Sequence, residues 1–163
     1  MNIVIANRQR TKRIDSRWLK QIVQVLLEEL DITDVELGIH LVAADEMARV
    51  NWQFLQHEGS TDVITFDHQE RPSGSQPPHP SPPIHGELFV CVDDAISQAR
   101  KFKTSWQSET VRYVIHGILH LMGHDDWKPD LRRKMKREEN RRLRGLAQKF
   151  SFTQLSRAAK LRQ

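Results

Sequence analysis

His116 and His120 stand four residues apart in the run His116-Gly117-Ile118-Leu119-His120-Leu121-Met122-Gly123-His124-Asp125-Asp126. Val111, Val114, Ile115, Ile118, Leu119 and Met122 give this stretch the apolar stripe of a helix. Side chains at i and i+4 lie on one helix face, so both imidazoles can reach a single metal ion. Gly123 ends the helix and lets the chain turn back. His124, Asp125 and Asp126 can then offer a third ligand. Two ring nitrogens and one further donor, with a position left for water, is the arrangement of a catalytic zinc site rather than a structural one. A lone histidine on an apolar helix face is usually a packed core residue. A pair at this spacing, followed by a glycine stop and more His and Asp, favours metal chemistry.

Gly117 narrows that chemistry. Peptidases of the His-Glu-x-x-His type carry a glutamate beside the first histidine as general base. Gly117 has no carboxylate, which disfavours peptide hydrolysis by that route. Its missing side chain is expected to leave open space beside the metal for a bulky substrate.

These residues resemble the signature of the YbeY family of metal-dependent single-strand endoribonucleases, His-Gly-x-Leu-His-Leu-x-Gly-x-Asp-His. Two further stretches resemble the same family in the same order. One is Asn51 followed by Thr61-Asp62-Val63-Ile64-Thr65-Phe66, and the other is Gly86-Glu87-Leu88. The resemblance covers roughly residues 1–147. It implies cleavage of single-stranded RNA, maturation of ribosomal RNA including the 3′ end of 16S rRNA, a role in ribosome quality control, and one zinc or similar divalent ion. It implies a partner in the small ribosomal subunit or its proteins, and no DNA substrate. The family's third metal-binding histidine falls on Asp126. Aspartate is a legitimate zinc ligand, so His116, His120 and Asp126 form the expected set, with His124 as the alternative third ligand. Asp125 matches the family's Asp and is expected to orient an imidazole N–H. Asp62 is an acidic candidate for the catalytic base, beside the plainer role of a turn carboxylate entering a strand. At Leu55 the family commonly has an arginine, which would grip phosphate. Leu55 cannot, so another basic residue must supply that charge or the chemistry differs.

Asn2 to Ala6 and Val35 to Ala43 alternate as strands, with Val35, Leu37, Ile39 and Leu41 on one side and His40 on the other, structural or exposed. Asp15 or Ser16 caps a helix running to about Leu30, and Asp45 caps a short one through about Leu55. Asp62 to Phe66 and Gly86 to Val92 are further strands. Asp93 and Asp94 suit the start of the next helix. Thr104 with Gln107 resembles a capping box for the metal helix. A last helix starts at about Pro129. This order, without regular alternation of strand and helix, predicts an α+β single domain: a small mixed sheet flanked by helices, with the metal motif on a central helix and the turn after it. Residues 70–85 hold six of the seven prolines and predict an extended loop. His79 and His85 within it are given no metal role. The expected division is a domain over 1–147 and a basic tail over 148–163, docked by Phe150, Phe152 and Leu155.

Composition bounds the partners. The chain has 163 residues, 38% hydrophobic and 28% charged, consistent with one globular domain. Its net charge of +4 is unevenly placed. Residues 128–163 carry 13 Lys/Arg against 3 Asp/Glu, and the rest carries 12 against 18. That asymmetry predicts an anionic partner for the carboxyl-terminal part, with Arg132, Arg133, Lys136 and Arg137 as candidate RNA contacts. No apolar run reaches the ~18 residues that a membrane helix needs. The single cysteine, Cys91, lies in an apolar strand and is expected to be a buried thiol, which suits a reducing cytoplasm. Two other readings remain open: a ribosome assembly factor whose metal is mainly structural, and a metallohydrolase of another substrate.

Overall fold

The computed structural model describes residues 1–69 and 82–156. Most of the proline-rich segment, with His79, and residues 157–163 lie outside them. Four strands form one sheet: β1 (Asn2–Asn7), β2 (Val35–Val42), β3 (Val63–Asp67) and β4 (Ile84–Cys91), in the order β1-β2-β4-β3. β1, β2 and β4 run parallel, and β3 pairs antiparallel with β4, so the sheet is mixed. The helices are α1 (Ser16–Glu29), α2 (Ala44–Leu55), α3 (Val92–Phe102), α4 (Trp106–Leu121) and α5 (Pro129–Lys149), followed by a short 3-10 helix, Phe152–Ser156. This is the α+β architecture that the sequence predicts.

One face of the sheet makes the main core. Ile3, Leu37, Ile39, Leu41, Leu88 and Val90 meet Leu19, Val23 and Leu26 of α1 and Val111, Ile115 and Ile118 of α4. On the other face α2 lays Met47 and Val50 over Val42, Ile64 and Cys91. Each fully buried aliphatic side chain of this kind contributes about 1.5–3 kcal/mol relative to exposure. The alternation in β2 follows from this burial on one side. His40 points to the opposite side, where it stacks on Phe89 at 4.3 Å and bonds Glu87 through Nε2 at 2.8 Å.

Two helix starts differ from the sequence expectation. Asp45 is not the cap of α2. The helix begins one residue earlier, and the backbone N–H of Ala44 donates to the Asp93 carboxylate at 2.7 Å. Asp93 also accepts from Thr11 Oγ1, so it fastens two remote segments besides lying in the first turn of α3. At α4 the cap is Ser105, whose Oγ accepts from Ser108 N at 3.1 Å. Thr104 instead donates its hydroxyl to Glu109.

The carboxyl-terminal elements close over α4. Met135, Leu143 and Leu146 of α5 are buried in the main core. The chain then leaves α5, and Phe150 meets Trp18 edge to face at 5.3 Å. Leu155 is fully buried.

Candidate metal centre

α4 is held on nearly every side. Val111, Val114, Ile115, Ile118 and Leu119 are buried, while His116 and His120 occupy the one stripe open enough for a ligand. The turn after it follows from Gly123. That residue sits at φ 103°, a left-handed conformation in which an L side chain is strained. Its N–H donates to the carbonyl of His120, and the N–H of His124 donates to that of Leu119. This pair of bonds is a Schellman ending, which satisfies the last carbonyls and folds the chain back. The fold-back brings Asp126 to the two imidazoles.

His116 Nε2 and His120 Nε2 are 3.1 Å apart. Asp126 Oδ2 lies 3.6 Å from the first and 3.5 Å from the second. Zinc bonds of about 2.0–2.1 Å in a tetrahedron require donors about 3.3–3.4 Å apart. The three separations fall around that value, so the residues present fit a zinc-class ion. Among the described residues this is the one group of His, Cys, Asp or Glu that meets a metal-holding geometry. His124 is turned elsewhere. It lines a separate pocket with Leu30, Met122, Glu138 and Arg142, and its burial lowers its pKa.

Outside this triangle a carboxylate fixes the first imidazole. His116 Nδ1 is 2.7 Å from Oε2 of Glu139, a buried residue of α5. An Nδ1–H donated to Glu139 leaves the Nε2 lone pair facing the triangle. Burial alone would lower the pKa of His116. The hydrogen bond and charge of Glu139 outweigh it, and the net shift is upward. Arg112 stands between two buried carboxylates, 3.9 Å from Glu139 and 3.8 Å from Glu109, and donates to Asn140. Burying Glu109 and Glu139 without this cation would be costly. Asp125 is exposed, and no hydrogen bond ties it to either imidazole.

The centre opens into a cleft of about 370 Å³ lined by Asp62, Tyr113, His116, Asp126, Arg132 and Lys136, among others. Asp62 is exposed and accepts from the backbone N–H of Val63 at 2.8 Å. It lies in the same cleft as the histidines despite a separation of 54 residues from His116. Of the four basic residues singled out on α5, Arg132 and Lys136 line the cleft, whereas Arg133 and Arg137 are exposed without lining it. Leu55 is exposed at the end of α2 and is not part of the cleft lining.

Gly117 corrects one expectation. It does not leave room beside the metal. A Cβ placed there would come within 2.6 Å of Leu88 Cδ2 on β4. The glycine lets α4 approach the sheet.

A family model described as Endoribonuclease YbeY matches residues 4–147. The chain belongs to the YbeY endoribonuclease family. The YbeY of Salinibacter ruber is 32% identical over 133 residues, covering 82% of this chain and 84% of that relative. The YbeY of Parabacteroides distasonis is 35% identical over 132 residues, covering 81% and 83%. A Thermotoga maritima protein solved in solution superposes with a TM-score of 0.64 at 27% identity, covering 89% of each chain. Within the matched residues, the fold brings Asp126 to His116 and His120.

Glu139, Glu109 and Arg112 lie outside the motif that marks the histidines. Glu139 did leave a signal. It falls at helical spacing among Met135, Leu143 and Leu146, a charge on a buried stripe.

Proposed function

We propose that this YbeY protein cuts single-stranded RNA with one bound divalent ion, and that His116, His120 and Asp126 hold that ion. The observation carrying this reading is the triangle of donors at 3.1, 3.5 and 3.6 Å on the wall of an open cleft. A zinc-class ion held there supplies Lewis acidity toward a phosphoryl oxygen and a more acidic water.

The chain's own residues do the rest. Glu139 orients His116, and Arg112 lies between Glu139 and Glu109. Arg132 and Lys136 supply the positive charge that Leu55 does not, and hold the phosphodiester on the α5 side of the cleft. The carboxylate of Asp62 faces the same space and accepts a proton from the attacking hydroxyl or water. Arg133 and Arg137 extend the basic face of α5 along the RNA or toward the ribosome. Their contribution is electrostatic and independent of sequence.

The physiological substrate in this reading is ribosomal RNA, including the 16S 3′ end, cut on or near the small subunit in the cytoplasm. In this reading the YbeY domain is residues 1–147, and 148–163 is a basic segment whose charge favours an anionic partner. No described helix is long and apolar enough to cross a membrane.

The test is cleavage of one RNA sequence in single-stranded and duplex form, with and without chelator. Chelator-sensitive cutting of the single strand alone is the expected result. Bound metal with no cleavage of either form would replace this reading with a ribosome-docking factor whose metal is structural.

A further inference from the structure

Two aromatic rings near the metal centre are left in solvent, Phe102 in the lining of the cleft and Trp127 next to Asp126 in the chain. Phe102, the last residue of α3, is 62% exposed and lines the cleft together with Asp62, His116 and Asp126. Trp127 follows Asp126 directly in the chain and is 66% exposed. An isolated exposed aromatic needs no explanation. This pair carries a second feature. Each ring has a lysine ammonium against it: Lys101 Nζ at 5.5 Å from the Phe102 centroid, and Lys128 Nζ at 4.3 Å from the Trp127 centroid. A flat apolar ring with an adjacent cation offers a nucleotide both things it presents, a π face and a phosphate.

Charge favours the same occupant. Arg132 and Lys136 enter the cleft from α5, and Arg132 also donates to the carbonyl of Asp126, which ties the turn bearing Trp127 to α5. Arg100, Lys101 and Lys103 cluster around Phe102 in the chain. A peptide carries no row of planar bases to lay on two exposed rings. A strand of RNA passing the metal centre does.

We propose that Phe102 and Trp127 are stacking platforms for unpaired bases flanking the scissile phosphate, and that they determine the preference for single strands. The proposal rests on the endoribonuclease reading. In a duplex each base face is already covered by its neighbours, so neither ring finds a partner without unstacking. In a single strand the bases are free to swing onto the rings. The phosphates beside them meet Lys101 and Lys128 while the strand crosses the cleft that His116 and Asp126 line. Stacking tolerates every base, so the selectivity it gives is for strandedness and not for sequence.

The experiment measures binding by fluorescence anisotropy. The probes are a short labelled oligoribonucleotide with methylated 2′-hydroxyls and the same oligonucleotide annealed to its complement. The proteins are the full chain and its Phe102→Leu, Phe102→Tyr, Trp127→Leu and Trp127→Phe variants. Both positions are exposed, so the variants should melt with the wild type. Each leucine variant is expected to bind the single strand about tenfold more weakly, within the ~1–3 kcal/mol per stacked base typical of such contacts. Duplex binding should be unchanged, and the aromatic replacements should retain wild-type affinity. Leucine variants that bind the single strand like the wild type would overturn the proposal. So would leucine variants that lose single-strand and duplex binding equally. A wild-type chain that binds neither probe is a different failure, removing the RNA reading itself and this inference with it.

Discussion

The Nδ1 atom of His116 lies 2.7 Å from Oε2 of Glu139, across the contact between α4 and α5. One residue of the triangle is thereby held by a helix that supplies none of its three donors. An outer carboxylate of this kind fixes the ring's tautomer and raises its basicity as a ligand. Removing it should weaken metal binding without changing the donors. Glu139→Ala is expected to lose about 10- to 100-fold in zinc affinity, measured by competition with a chromophoric chelator. Glu139→Gln, which retains an acceptor, should lose less. Unchanged affinity in Glu139→Ala would detach α5 from the metal centre.

Gly117 gives a prediction about packing. Its Cβ position is 2.6 Å from Leu88 Cδ2 and 3.0 Å from Cδ1, so Gly117→Ala must push α4 off the sheet or shift Leu88. Overpacking of this kind costs about 1–3 kcal/mol. At this chain length that is a fall of several degrees in melting temperature, on the order of 2–4 °C per kcal/mol. Calorimetry measures it. A variant as stable as the wild type but with a raised KM for RNA would restore the view that the glycine makes room for substrate.

Cys91 is fully buried, and burial pushes its thiol pKa up, with Ser60 Oγ at 3.4 Å and Asp94 Oδ1 at 3.7 Å as partners. The thiolate is the reactive form, so both access and ionisation disfavour reaction. An aromatic disulfide reagent at pH 8 should leave the native protein unlabelled over the time in which it labels the denatured chain fully. Fast labelling of native protein would show that β4 and the start of α3 open readily.

Arg132 and Lys136 line the cleft on one face of α5. If each neutralises a phosphate, Arg132→Ala and Lys136→Ala should each weaken RNA binding and reduce the slope of log affinity against log salt by about one. Titrations at a series of salt concentrations give that slope. An unchanged slope in both variants would remove α5 from the phosphate path and leave the charge missing at Leu55 unexplained.

Local signals made much of this architecture legible. The alternation Val35, Leu37, Ile39, Leu41 is the inner face of β2, and Asp15 caps α1 by accepting from Arg17 N. The i, i+4 histidines and Gly123 specify their own geometry through helix pitch and a left-handed turn. What could not be read depends on partners distant in sequence. The start of α2 is capped by Asp93, 49 residues later. Gly117 answers to Leu88 on another element. Glu139 follows Glu138 in a strongly basic helix and resembles a solvated charge unless its place on the buried stripe is noticed. Asp125, inside the motif, suits an outer carboxylate by sequence, but the carboxylate on the His116 ring is that of Glu139.

In the proposed reading Asp126 completes the metal centre and His124 does not. The most direct measurement is elemental metal analysis of purified wild type, Asp126→Ala and His124→Ala, with single-strand RNA cleavage assayed on the same samples. One zinc-class ion per chain in the wild type and His124→Ala, with metal and cleavage both lost in Asp126→Ala, is the predicted result. Full metal content and full activity in Asp126→Ala would contradict it.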